Sequence, residues 1–518
     1  MARGVVMLNW IKGAQSDHPL ADEKAARELI AELPANDSFK ALEELSYWLD
    51  TLKGAEGLKL GRQFEITDLI DQTAKSHQRK LSQVYLSGGA RLQKVQEIRI
   101  WNTSFGFWKQ LADAYQLWLT RYQAGAAGWG ASKGPLSTVV ARAMRAISLQ
   151  LKWQLLRYGP VAPRLWEEYG KLFAYAEEKG FVSAKVEVYP GKFGESTVQR
   201  ECLKGLMLAI SSTDSLLPDK LEIAERVVAQ FSEFFVLGRK PAKGCHYYVD
   251  LTTGKGPARM VSRLEMTPGL RFFGPGSAAQ ELEKLITVLQ ADGVVPSNVN
   301  LGGVFDPELV LEVLRHLARY WAPVPPARSE ERRRSVSRIS VIHTFDEIVA
   351  TVSADTQDLA FDNSAETWMV ENESEGGYGA LMPQTKGDWL KVGTLLGVKL
   401  EHGAAWGVGI VRRLSAYDLK QRYVGIQVFS KGATVVKLAP VNTGSSNVAQ
   451  DAVLLPSSTS DSSGTGEMSL LVRPGVFSKK KNYEMQAYGR SYLLVPKKLL
   501  EGGDDFDMAR FRVMQRAN

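Results

Sequence analysis

Arg332-Arg333-Arg334-Ser335-Val336-Ser337-Arg338-Ile339-Ser340-Val341-Ile342-His343 carries two patterns in one run. Four arginines fall within seven residues, and then Ile339, Val341 and His343 alternate with Ser340, Ile342 and Thr344. A period of two is the mark of a strand. Just upstream lies Ala322-Pro-Val-Pro-Pro-Ala-Arg-Ser329, where prolines at this density stop a helix and stiffen a connector. The main domain boundary is expected there, with a linker over 322–331. Downstream, strands are expected at 367–371, 395–400, 406–414 and 423–429. Short strands at close intervals between glycine and polar turns predict a small antiparallel barrel over 332–440.

Upstream of the linker the period changes. Residues 1–240 read as a helical domain: Leu42, Leu45, Leu49 and Leu52 recur at three- and four-residue spacing behind the capping cluster Asn36-Asp37-Ser38. Trp101, Phe105, Trp108, Leu111, Tyr115 and Trp118 fall on one face of another helix, and a buried seam is the expected use of that stripe. A further helix from Pro218 turns Leu221, Ala224, Val228, Phe231 and Phe235 inward. Residues 241–321 read as a mixed α/β continuation, with strands at 247–251 and 258–261 and a helix opened by Asp306-Pro307. Beyond the barrel, 441–518 read as a β-rich extension behind a Ser/Thr/Gly-rich loop at 442–466, either lengthening the barrel or adding a small subdomain. The fold class expected is α+β.

The 518 residues suggest about three domains. With 44% hydrophobic and 23% charged residues, the chain is neither wholly disordered, collagen-like nor a disulfide scaffold. A net charge of +7, from 64 basic against 57 acidic residues, is mild at this length and suits an anionic partner only where the charge clusters. Cys202 and Cys245 belong to no CxxC pair, so a reducing compartment is expected. The first residues hold no secretory apolar core, and no apolar stretch spans a bilayer. A cytoplasmic protein without membrane insertion is expected.

Several motifs fail on context. Gly130-Ala-Ser132-Lys-Gly134 has the spacing of a nucleophile elbow but sits in a loose Gly/Ala stretch before Pro135. Gly274-Pro-Gly276-Ser277 lacks the βαβ setting of a dinucleotide turn and reads as a turn capped by Ser277. Gly254-Lys255 lacks the rest of a phosphate loop, and Cys245-His246 is not spaced for chelation. His18, His77, His246, His316, His343 and His402 are scattered, so no metal and no catalytic residue is expected.

The arginine run has a counterpart. Thirty-four residues beyond Arg338 comes Asn372-Glu-Ser374-Glu-Gly-Gly377. Arginine forks suit phosphate oxygens and the O6/N7 edge of guanine, while a short amide, a hydroxyl and glycines let a turn approach a flat ligand. Together these residues resemble the PilZ family of cyclic di-GMP receptors, which pair an RxxxR motif with a [D/N]xSxxG motif on a six-stranded barrel. Arg334-Ser-Val-Ser-Arg338 matches the first and Asn372 to Gly377 the second; Gly393 to Leu400, Gly409 to Arg412 and Val424 to Phe429 resemble the later strands. The resemblance covers about residues 330–432.

It implies that Arg334 and Arg338 wrap the dinucleotide and that Asn372, Ser374 and Gly377 line its guanine pocket. Arg333, beside the motif, would contact a second ligand molecule. Asn372 in place of aspartate removes one charged acceptor for guanine N–H groups. Asp362-Asn-Ser364 is a decoy, because Thr367 replaces the final glycine. Gly502-Gly-Asp-Asp-Phe506 differs by one conservative change from the signature of diguanylate cyclases, and a polar turn is the expected reading.

The function expected is a non-catalytic cyclic di-GMP receptor, with no other cofactor, that changes the relation of its helical region to its barrel on binding ligand. A protein partner would dock on the helical region. Two alternatives are a protein-interaction scaffold with a degenerate barrel, and a nucleic-acid-binding protein using the arginines with Lys479-Lys480-Lys481; nucleic acid is the less favoured partner.

Overall fold

The computed structural model describes residues 18–88, 92–128, 136–191, 194–324, 332–353, 365–383, 389–403, 405–416, 421–441, 449–455, 466–487 and 489–515. Gly130 to Gly134, the Asp362 decoy, most of the proline-rich linker and most of 442–466 lie outside these. The described chain divides into a unit of residues 18–213 and 218–324 and a second of 332–515 with the short 214–217 segment.

Among the described residues the first unit is built on ten α-helices: α1 (Glu23–Ala31), α2 (Ser38–Thr51), α3 (Leu60–Gly88), α4 (Lys94–Gln123), α5 (Leu136–Leu155), α6 (Pro163–Glu178), α7 (Val198–Ile210), α8 (Pro218–Gln230), α9 (Ala278–Asp292) and α10 (Pro307–Trp321). Capping explains several starts. Asp37 accepts from Lys40 N at α2, Thr197 from Arg200 N at α7, and Asp306 from Glu308 and Leu309 N at α10. The aromatic stripe of α4 is a seam: Trp108, Leu111, Tyr115 and Trp118 are buried, and the Trp118 indole donates to Leu60 O at 2.9 Å. Two short strands, β1 (Val186–Glu187) and β2 (Glu195–Ser196), pair with each other. Strands β3 (Val236–Gly238), β4 (Tyr247–Asp250), β5 (Ala258–Arg259) and β6 (Leu270–Gly274) form a sheet in the order β3-β6-β4-β5. Ser277 stands at the N-cap of α9 as expected, but its side chain makes no capping bond.

The second unit opens with a closed barrel of β7 (Arg333–His343), β8 (Glu366–Ser374), β9 (Gly377–Pro383), β10 (Leu395–Leu400), β11 (Gly407–Ala416) and β12 (Gln421–Ser430). Its ring runs β7-β8-β9-β12-β11-β10 and closes on β7, every pair antiparallel. Ile339, Val341, Trp368, Val370, Ala380 and Val424 fill it. Between the first two strands lies a helix that the period-two reading passed over, α11 (Phe345–Ser353). Its local signal is the capping-box spacing Thr344-x-x-Glu347: Thr344 accepts from Glu347 N, while the Glu347 carboxylate reaches one residue past the cap and accepts from His343 N.

The C-terminal extension is more than an added subdomain. Strands β13 (Thr434–Pro440), β14 (Gln450–Leu455), β15 (Glu467–Val472), β16 (Tyr483–Ala487), β17 (Arg490–Gly502) and β18 (Asp507–Gln515) close a second barrel. Its ring is β13-β14-β15-β18-β17-β16, so its strands follow the same one-two-three-six-five-four order as those of the first barrel. The second barrel repeats the first in topology but not in chemistry. Its first strand holds Lys437 as its single cation, and that lysine pairs with Asp451 at 2.6 Å.

The barrels share a core in which Ile342, Phe345, Ile348, Leu395 and Val408 meet Val453, Leu455, Leu471 and Phe506. The cyclase-like segment lies at this junction. Phe506 is fully buried, Asp505 accepts from Phe345 N at 2.6 Å to cap α11, Asp504 pairs with Lys391, and nearby Glu501 pairs with Arg412. Its carboxylates hold two barrels together, as a structural turn would.

Candidate ligand-binding site

The two motifs meet across one ladder. Arg333 stands opposite Glu373, Arg334 opposite Asn372, Ser337 opposite Val370 and Arg338 opposite Met369. Cross-strand partners send their side chains to the same face. Trp368 and Val370 point into the barrel, so Met369 and Arg338 point away from it. A bulge between Arg334 and Ser337, matched by one at Glu371 against β9, brings Arg334 and Asn372 onto that same outer face. Arg333, Arg334 and Arg338 are exposed, and among the described residues none bonds their guanidinium groups.

The turn Glu375-Gly376 joins β8 to β9 as a two-residue hairpin, with Ser374 opposite Gly377 and the Ser374 hydroxyl donating to Gly377 O at 3.4 Å. Gly377 has a reason within the barrel itself. A Cβ there would stand 2.0 Å from Ile426 O, so only glycine lets β9 run this close to β12. On the inner face, burial pushes the Tyr378 hydroxyl above its ordinary pKa and Glu373 adds to the shift.

Two residues that the motifs did not point to complete the site. Arg332 donates from Nη1 to Asn372 Oδ1 at 2.8 Å and to the Tyr423 hydroxyl at 3.2 Å, and Asn372 Nδ2 donates to that hydroxyl at 2.8 Å. Gly379 makes room for them, since a Cβ there would lie 2.1 Å from the Tyr423 hydroxyl and 2.6 Å from Asn372 Oδ1. Arg332 was visible within the arginine run, whereas Tyr423 sits in β12 with no local signal. Lys479, Lys480 and Lys481 lie between β15 and β16, on the other barrel from the arginines.

Arg332 to Arg334, Arg338, Asn372, Gly379 and Tyr423 together offer a cationic strip beside an amide–phenol pair. That pairing suits a ligand with phosphates and a flat hydrogen-bonding base. Among the described residues no group of three or more His, Cys, Asp or Glu side chains could hold a metal, and no helix is long and apolar enough to cross a membrane. Cys202 and Cys245 are buried and free, and burial pushes both thiols up.

Comparison with known families gives two matches. A family model described as the N-terminal domain of the cyclic-di-GMP receptor FimW matches residues 24–242. A second, described as the middle PilZ domain of the same receptor, matches 321–434. No curated protein matches the chain. The second match ends where β13 begins, so the repeated barrel lies outside both.

Proposed function

The chain belongs to the FimW family of cyclic-di-GMP receptors, whose two models together match well over half of it, and from that premise we propose how it holds its ligand. It is a receptor for cyclic di-GMP with a PilZ domain. Arg334 and Arg338 clamp the phosphates and guanine edges, Asn372 and Ser374 with Gly377 line the guanine pocket, and Arg333 meets a second ligand molecule. The observation that supports this reading is the direct pairing of Arg334 with Asn372 on the outer face of the ladder. Two phosphate charges need a convergent cationic clamp, and an arginine plane also stacks on a purine.

The receptor acts without catalysis, in the cytoplasm, and passes its signal to a protein partner through the helical unit. The arginines follow directly on the proline-rich connector. Ordering them on the dinucleotide therefore changes the relation of the helical unit to the barrel, as a ligand does when it favours one of two states.

Calorimetric titration of the full chain with cyclic di-GMP tests the site, comparing wild type with the Arg334→Ala/Arg338→Ala double variant. Cyclic di-AMP and GTP serve as selectivity controls. Selective binding that the double variant loses supports the assignment; equal binding by both proteins removes it. Small-angle scattering with and without ligand tests the switch, and superimposable profiles would count against it.

A further inference from the structure

Arg332, Asn372 and Tyr423 form a closed ring of three hydrogen bonds. Arginine carries only donors, so the amide oxygen of Asn372 must be the atom facing it. This leaves Nδ2 to face Tyr423, whose hydroxyl accepts from both neighbours. The recognition amide is therefore held in one orientation, with its acceptor already engaged by a guanidinium.

The edge of guanine that a carbonyl oxygen reads has N1–H and the N2 amino group side by side. A guanidinium presents the same row of N–H donors on a flat frame. Arg332 thus takes one of the two lone pairs of Asn372 Oδ1 and stands, with the same kind of donors, where a guanine edge would approach it. It also lies just outside the strand: β7 begins at Arg333, and the ladder to β8 starts with Arg333 opposite Glu373. Among the described residues no ladder pairing ties the Arg332 backbone in place.

We propose that Arg332 is an internal competitor for the guanine-reading edge of Asn372, and that it must leave Asn372 Oδ1 before the base docks. The inference rests on Asn372 being a guanine-reading residue. Its consequence is a receptor whose affinity is set below what the clamp alone would give, so that it responds at a higher ligand concentration.

Removing Arg332 also removes a charge near the phosphates, so the test is made where that charge is screened. The full chain is titrated with cyclic di-GMP at about 1 M salt, where the screening length falls to about 3 Å. Wild type is compared with Arg332→Ala, Arg332→Met and Arg334→Ala, with thermal melting as the check on folding. Arg332→Ala and Arg332→Met should bind about threefold to tenfold more tightly than wild type, the scale of one lost hydrogen bond, while Arg334→Ala binds more weakly. Unchanged affinity in folded Arg332 variants would overturn the competitor. Weaker affinity would overturn it too, and would place Arg332 among the ligand contacts. A wild-type chain that binds no cyclic di-GMP would instead remove the site reading on which the inference rests.

Discussion

Arg334 and Asn372 stand directly opposite each other in the ladder between β7 and β8, each contributed by a different motif. A guanidinium fork and a side-chain amide thereby share one outer face, although α11 and more than thirty residues separate them along the chain.

If that pairing is the ligand clamp, the Arg334→Ala/Arg338→Ala variant loses two charge-assisted bonds. Affinity for cyclic di-GMP should fall about a hundredfold or more. Arg334→Lys should restore only part of it, because an ammonium keeps the charge but not the fork. Calorimetry measures both, and a fully active Lys variant would argue against bidentate contact.

Gly379→Ala tests the space beneath the amide. The new methyl would lie 2.1 Å from the Tyr423 hydroxyl and 2.6 Å from Asn372 Oδ1, so both side chains must move. Overpacking of this kind costs about 1–3 kcal/mol. The barrel should still fold, with a lowered melting temperature and cyclic di-GMP affinity reduced about tenfold. Unaltered affinity would show that the Asn372 geometry is not needed.

Asp505→Ala removes one of the two side chains that cap α11 at the junction of the barrels, leaving Thr344; its carboxylate accepts from Phe345 N at 2.6 Å. Loss of such a cap costs about 1 kcal/mol. Thermal stability should drop with ligand affinity unchanged, which would separate this segment from any nucleotide chemistry that its cyclase-like sequence suggests.

In the helical unit, Glu225 gives a pH dependence of known sign. Burial alone would raise its pKa, but Lys152, Arg226 and Arg145 outweigh burial and hold it at about 2, against an ordinary 4.5. Lys152 lies 3.3 Å from it and Arg226 3.4 Å. A folded-state pKa below the unfolded one means that the contribution is complete above about pH 4.5 and is lost as the pH falls towards 2. Glu225→Gln should lower stability at neutral pH and flatten the acid limb, as read from urea midpoints between pH 2 and 7. An unchanged slope would assign the acid sensitivity to other carboxylates.

The local code of the chain determined the elements with a short-range signature. The helical period of the first unit, the alternating strands of the first barrel and the two motifs are properties of neighbouring residues, and all were legible by position. So was the turn at Gly502 to Phe506, although its role between two barrels was not. The capping box at Thr344 and Glu347 was equally local, but it was masked by the β-branched run around it.

Tertiary structure alone decided which residues meet. Tyr423 reaches Asn372, Arg332 donates to its oxygen, Gly379 is small because two side chains need its space, and the strands β13 to β18 close a second ring in the order of the first. Each depends on ladder register and ring closure, which arise from burying several strands at once and leave no periodic trace within any one of them.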